Sequence, residues 1–452
     1  MMTNQISFFK KILTKSNDAS EERTRKLSIT FLISTVSKGI SFLILIVSLP
    51  LTLGYLGAER FGVLNTLIST LGIITYSDLG LGMGLQNTLP SLIANEETKN
   101  IKRYISTAFF FLLGVACLIF LFSFIIAPFI NWGNFFNTKA ISGQELQNAI
   151  IIYFLVISIG IPASLIQRIQ SAYQEGYLAE IWITLGNITS LVSIYFVVQY
   201  KGNIPLIILG MQGVVYAFYS LNFLYFTFYK KKYPKPSFAQ FDTLILRGLI
   251  KLGLSYLFIQ ICSLFINSID NLIISRTFGP VKVTDYTVAF RLISILAMPV
   301  QLFSVPLLAA YNDAWVRKDK QWISNITLKL LKGAFIGSIL GVLLFLFFGN
   351  FIVKHWTGNT QYSFYQLLMF GLLLIYLNFN SLISMIGLSS RFIKHLLYIY
   401  PIATLITVIV KYLIMQYFST DYTNIVWATF IPVTIFFFIP ILYKIYKEDF
   451  SL

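Results

Sequence analysis

The stretch "YSDLGLGMGLQN", residues 76–87, sets a carboxylate, Asp78, beside three alternating glycines, Gly80, Gly82 and Gly84. The spacing tempts a comparison with a phosphate-cradling loop. Such a loop needs a buried strand before it, a helix N-terminus after it, and a glycine spacing that this segment lacks. The surroundings decide the reading. The segment lies in a chain of 452 residues that is 56% hydrophobic and only 12% charged, with a mean hydropathy of +0.75. Soluble domains carry about 25% charged residues. The segment therefore belongs to an all-α, polytopic membrane protein.

A helical crossing needs about 20 mostly apolar residues. Stretches of this kind are expected at roughly 28–53, 61–84, 104–128, 147–169, 178–199, 203–228, 249–275, 284–310, 326–352, 363–388, 395–417 and 423–445. The longest connections, 129–146, 229–248 and 311–325, are too short to enclose a soluble core. With the N-terminus inside, about 25 of the 34 lysines and arginines fall on the cytoplasmic side, and both termini are expected there. These basic residues include Lys230–Lys232, Arg317, Lys318 and Lys320. The net charge of +16 then faces anionic headgroups, and no nucleic-acid partner is implied. About 26 polar, basic residues precede the first apolar run, unlike a cleavable signal. Within them "ISFFKKILTK" (6–15) suits a short interfacial helix or a basic tail. Cys117 and Cys262 sit in apolar runs as packing residues, and His355 and His395 lack metal-ligand spacing. No catalytic grouping, P-loop, metal site or cofactor fingerprint is visible.

A weak internal repeat runs through the chain. Gly57 in "YLGAERFGV" matches Gly279 in "RTFGPVKVTDYTV", and Trp132 in "NWGN" matches Trp356 in "HWTGN". "LPSLIA" (89–94) parallels "VPLLAA" (305–310), and "YIST" (104–107) parallels "WISN" (322–325). The common order argues for two six-helix lobes related by a pseudo-two-fold axis along the membrane normal. The expected division is a cytoplasmic tail 1–27, an N-lobe 28–228, a cytoplasmic linker 229–248, a C-lobe 249–445 and a tail 446–452.

Polar residues recur at helical spacing inside the spans. Ser34, Lys38 and Ser41 share a face of the first. Gln260, Ser263, Asn267 and Asp270 share a face of the seventh, beside Asn271. Thr284, Thr287, Arg291 and Ser294 follow in the eighth, and Thr404, Thr407 and Lys411 in the eleventh. A charge at bilayer depth costs about 2.5–3.5 kcal/mol or more on insertion scales, so each needs a partner or a wet cavity. Lys38 is too deep to snorkel and is expected to line a cavity. Lys411 is expected to snorkel to the outer interface, and Asp270 to line the cavity or to pair with Arg291. Asp78, Gly80, Gly82 and Gly84 read as a cytoplasmic gate, or as a solvated helix end whose glycines serve packing.

The phrases "LGAERFGVLNTLISTLGIITYSDLGLGMGLQN" (56–87) and "SIDNLIISRTFGPVKVTDYTVAFRL" (268–292), with the two lobes and the linker, carry a resemblance. The chain resembles the Wzx-type polysaccharide-unit (O-antigen or capsule) flippases of the multidrug/oligosaccharidyl-lipid/polysaccharide exporter superfamily. The resemblance implies twelve helices around an alternately accessible cavity in a bacterial inner membrane. It also implies a lipid-linked oligosaccharide on a polyprenyl diphosphate carrier as substrate, membrane lipids as surroundings, and a proton or sodium ion as the candidate coupling ion. Two alternatives stay open. A cation-coupled multidrug exporter would favour carboxylates in its cavity. A polysaccharide polymerase or ligase would need a large outer loop, and "NWGNFFNTKAISGQEL" (131–146) offers little beyond Glu145.

Overall fold

The computed structural model describes residues 19–72, 80–316, 319–358, 361–387 and 393–449. The N-terminal "ISFFKKILTK" and the gate candidate Asp78 lie outside the described residues. Every regular element among those described is helical. Among the described residues, eleven helices are long and apolar enough to cross a membrane. The first of these candidates, Leu32–Leu71, has 40 residues, twice the length of ~20 that one crossing requires.

That candidate belongs to α1, Ala19–Leu71, which is broken by the non-helical backbone of Gly57 (φ 72°, ψ 167°). Gly279, the repeat partner of Gly57, has nearly the same conformation (φ 85°, ψ 166°) and separates α8, Asp270–Phe278, from α9, Pro280–Val316. This region of backbone space is essentially restricted to glycine. The expected second span over 61–84 needs correction. Its helix ends at Leu71, and a separate helix, α2, runs from Leu81 to Ala94. Gly80 is its left-handed N-cap, with φ 70°. The turn is therefore at Gly80, while Gly82 and Gly84 lie within regular helix.

The chain divides into two compact units. The first comprises Met1–Thr52, Ile74–Trp132 and Ile141–Leu257, and the second Leu53–Ile73, Gly133–Ala140 and Phe258–Leu452. These ranges differ from contiguous lobes because Leu53–Ile73 and Gly133–Ala140 group with the second unit, and two long helices span a division point. One is α1, between Thr52 and Leu53; the other is α7, Thr243–Asn267, between Leu257 and Phe258.

In the first unit, α4 (Gly143–Ala172) is central. Its buried Leu146, Ile150, Tyr153, Ile157, Ile161, Leu165 and Ile169 recur every three or four residues. Around it pack α2, α3 (Thr98–Ile126) and α6 (Ile204–Tyr229), while α5 (Gly176–Gln199) packs chiefly against α6. In the second unit, α11 (Phe364–Gly387) buries Phe370, Leu374 and Ile383. It packs against α9 and α10 (Lys320–Thr357), and the remaining spans are α12 (Ile393–Leu413) and α13 (Tyr422–Lys444). Leu118, Phe122 and Ile125 of α3, and Phe347 and Phe351 of α10, are more than half exposed. Such apolar surface is a liability in water and is what a lipid-facing helix requires.

Small residues set the helix spacing where hydrocarbon removes the ordinary hydrophobic drive. A Cβ built on Gly80 would lie 2.2 Å from the Gly253 carbonyl oxygen, and one on Gly84 would lie 2.9 Å from that of Leu249. The glycines of the opening motif thus let α2 lie directly on the α7 backbone. We expect Gly84→Leu to destabilise the protein by about 1–3 kcal/mol, an overpacking effect. Gly114→Leu, where a Cβ meets open space, should be tolerated. Thermal unfolding followed by size-exclusion chromatography would distinguish the two; equal melting would remove the packing role.

Candidate functional site

In the second unit the polar side chains converge where α7 ends. The last carbonyls of a helix lack intrahelical donors and form the negative end of its dipole. Lys411 of α12 donates to one of them, that of Ile266, and pairs with Asp270 Oδ1 at 2.5 Å. The other carboxylate oxygen accepts from Tyr286 at 2.8 Å. One turn earlier, Asn267 donates to the Ser263 carbonyl at 2.7 Å and accepts from Tyr376 at 2.9 Å. Thr404 donates to the Cys262 carbonyl at 3.4 Å. Lys411 has no exposed surface, and Asp270 is buried.

Two sequence expectations are corrected here. Lys411 does not snorkel, because the Ile266 carbonyl at the α7 terminus and the Asp270 carboxylate offer its ammonium acceptors inside the protein. Asp270 pairs with Lys411 and not with Arg291.

Arg291 stands elsewhere on α9. It donates to Asn65 Oδ1 at 3.3 Å, and its guanidinium carbon lies 5.8 Å from the centre of the Phe61 ring. No carboxylate pairs with it among the described residues. Near it, Asn271 donates to Ser69 at 3.2 Å. Thr287 is buried one turn before Arg291, and its hydroxyl has no partner among the described residues. Gln260 is half-buried on α7.

In the first unit, Ser41 accepts from Asn187 of α5 at 3.1 Å, and Ser37 bonds Thr184. Ser41 is therefore engaged in the α1–α5 seam. Ser34 and Lys38 are half-buried on the flank of that seam, one or two positions around the helix. No hydrogen bond or ion pair engages Lys38 among the described residues. Lys38 lies 12 residues beyond Lys26, the last basic residue of the tail, or about 18 Å along the helix.

Several polar pairs escaped the sequence reading. Arg168 donates to Gln86 at 3.1 Å. Gln170 and Asn222 exchange amide hydrogen bonds at 2.8 and 3.2 Å. The signal was present, since an arginine and three amides within or beside apolar spans are themselves unusual. No group of three His, Cys, Asp or Glu residues able to hold a metal occurs among the described residues.

Removing one member of a buried ion pair strands the other and typically costs ~3–5 kcal/mol, whereas removing both is much milder. We therefore expect Asp270→Asn and Lys411→Met each to lower the melting temperature and the amount of folded protein. The double variant should regain most of the loss. Additive losses in the double variant would mean that the two side chains are not energetically coupled.

Comparisons with known proteins bear on the family and the fold. A model of the polysaccharide biosynthesis protein family matches residues 29–311. No curated protein matches the sequence. Among solved structures, the chain is similar to the inward-facing conformation of a multidrug resistance MATE family transporter of the MOP superfamily. The TM-score is 0.77 at 14% identity, with 92% of this chain and 99% of the other covered. The outward-facing conformation of a MATE family transporter gives 0.66 at 14% identity, over 95% and 97%. A MOP superfamily transporter from Pyrococcus furiosus, reported to have a binding pocket of reversed polarity, gives 0.63 at 15% identity, over 94% and 96%. The fold is the one seen in these MOP-superfamily transporters. With the family model covering more than half of its length, the chain belongs to the polysaccharide biosynthesis protein family, built on the MOP-superfamily transporter fold.

Proposed function

We propose that the protein carries a lipid-linked oligosaccharide, on a polyprenyl diphosphate, from the inner to the outer leaflet of a bacterial plasma membrane by alternating access. The observation that carries this reading is a pair of cations in apolar helices, Lys38 and Arg291, neither with a carboxylate partner among the described residues. Keeping such charges is expensive unless an anion or water meets them. A diphosphate suits both, because lysine acts as a point charge and arginine contacts phosphate oxygens bidentately. Hydroxyls and amides at Ser34, Thr287, Asn271 and Gln260 are of the type that sugar hydroxyls pair with.

A cation-coupled multidrug exporter is the second reading, favoured by the structural likeness to MATE transporters. It calls for a carboxylate free to meet a cationic drug. Asp270 is already held by Lys411 and Tyr286, which weighs against it.

A charge-assisted contact is worth about 1.5–3 kcal/mol, which corresponds to roughly ten- to a hundredfold in affinity. Lys38→Gln and Arg291→Gln should each lower glycan export by about tenfold or more at normal protein level. Lys38→Arg should retain most export, and Arg291→Lys less. Surface glycan measured in a strain lacking the chromosomal copy reads the effect, with resistance to cationic drugs as the contrast. Full export in both glutamine variants would falsify the diphosphate reading.

The same proposal has both termini in the cytoplasm. In a background without Cys117 and Cys262, a cysteine at Gly143 should react with an impermeant thiol reagent from outside, and one at Lys231 from inside. Reaction of both from one side would overturn the orientation.

A further inference from the structure

The segment 229–242 is a strap fastened to the first unit. Lys232 pairs with Glu175 at 2.8 Å, and Tyr233 donates to the same carboxylate at 2.7 Å. Further along, the Ser237 and Asp242 amides donate to the Ser106 and Thr107 hydroxyls of α3, each at 3.0 Å. Arg103 pairs with Asp242. The amides of Ile245 and Leu244, together with that guanidinium, hold the Asp242 carboxyl below its usual range.

Beside the strap is a cavity of about 380 Å³, within the ~300–1,000 Å³ typical of small-molecule sites. Its walls are Phe109, Phe110, Pro162, Phe223, Phe228 and Pro236. Phe109 and Phe223 stack with centroids 5.1 Å apart. Lys235 stands against a ring that lines this cavity, and Lys230 against two tyrosines of the Tyr225–Tyr229 segment that carries that ring. Lys235 Nζ is 5.3 Å from the centre of the Phe228 ring, and Lys230 Nζ is 5.8 Å from Tyr225 and 5.9 Å from Tyr229. Lys230, Lys231 and Lys235 are exposed and have no carboxylate partner among the described residues.

We propose that this cavity binds one acyl chain of an anionic phospholipid, whose phosphate is held by Lys230, Lys231 and Lys235. An aromatic recess beside unneutralised cations matches an amphiphile with an apolar tail and an anionic head. The protein's own N-terminal segment 6–15 carries Lys10, Lys11 and Lys15, so like charge disfavours it as the occupant. Lysines near a lipid surface attract anionic headgroups additively. The site uses neither Lys38 nor Arg291, and its existence does not depend on the transported substrate.

The test is native mass spectrometry of the purified full chain titrated with phosphatidylglycerol or phosphatidylcholine. Wild-type protein should bind phosphatidylglycerol on the order of tenfold more tightly. The triple variant Lys230→Gln, Lys231→Gln, Lys235→Gln, which keeps the Lys232–Glu175 pair, should lose that preference. Ala163→Phe, which fills the cavity, should remove one bound lipid of either class; Ser220→Phe serves if that variant does not fold. An unchanged preference in the triple variant, or unchanged stoichiometry in the filled variant, would overturn the proposal.

Discussion

An ammonium ion with no exposed surface is tolerable in an apolar helix only when fixed acceptors replace its water. Lys411 meets that condition through the end of α7 and the start of α8, and much of the second unit's polar interior follows from it. The break at Ser268–Ile269 frees the Ile266 carbonyl and sets Asp270 at the first turn of α8. Tyr286 then takes the second oxygen of that carboxylate, and Tyr376 holds Asn267 one turn back. A broken helix is used here as a ligand for a side chain.

The same constraint separates the cations into two kinds. Lys411 is neutralised and closed to solvent. Lys38 and Arg291 have no carboxylate partner among the described residues. Under the proposed function Lys411 is structural and the other two are the candidates for an anionic cargo. A substrate-binding role for Lys411 is correspondingly weakened, although it stands on as polar a stripe as the others.

What was legible in the sequence was whatever depends on neighbours along the chain. Apolar run length gave the helices, and the matched glycines gave two breaks of nearly the same backbone form at Gly57 and Gly279. What was illegible depends on contacts between distant segments. Asp270 and Lys411 are 141 positions apart, and nothing in either stripe names the other. Both Lys411 and Arg291 were visible as intramembrane cations, but only packing decides which one the carboxylate meets. The glycines at 80 and 84 were visible as special; the α7 backbone lies against both, and Gly80 in addition makes the left-handed turn that opens α2.

The strap also constrains insertions and deletions. Its amides at Ser237 and Asp242 reach successive hydroxyls of α3, Ser106 and Thr107, so the five steps between them must span a fixed distance. A residue inserted there would break one anchor or force a bulge, even if every side chain were kept. For this segment, length is as strict a specification as composition, and a connection that reads in sequence as a spacer is a measured part of the first unit.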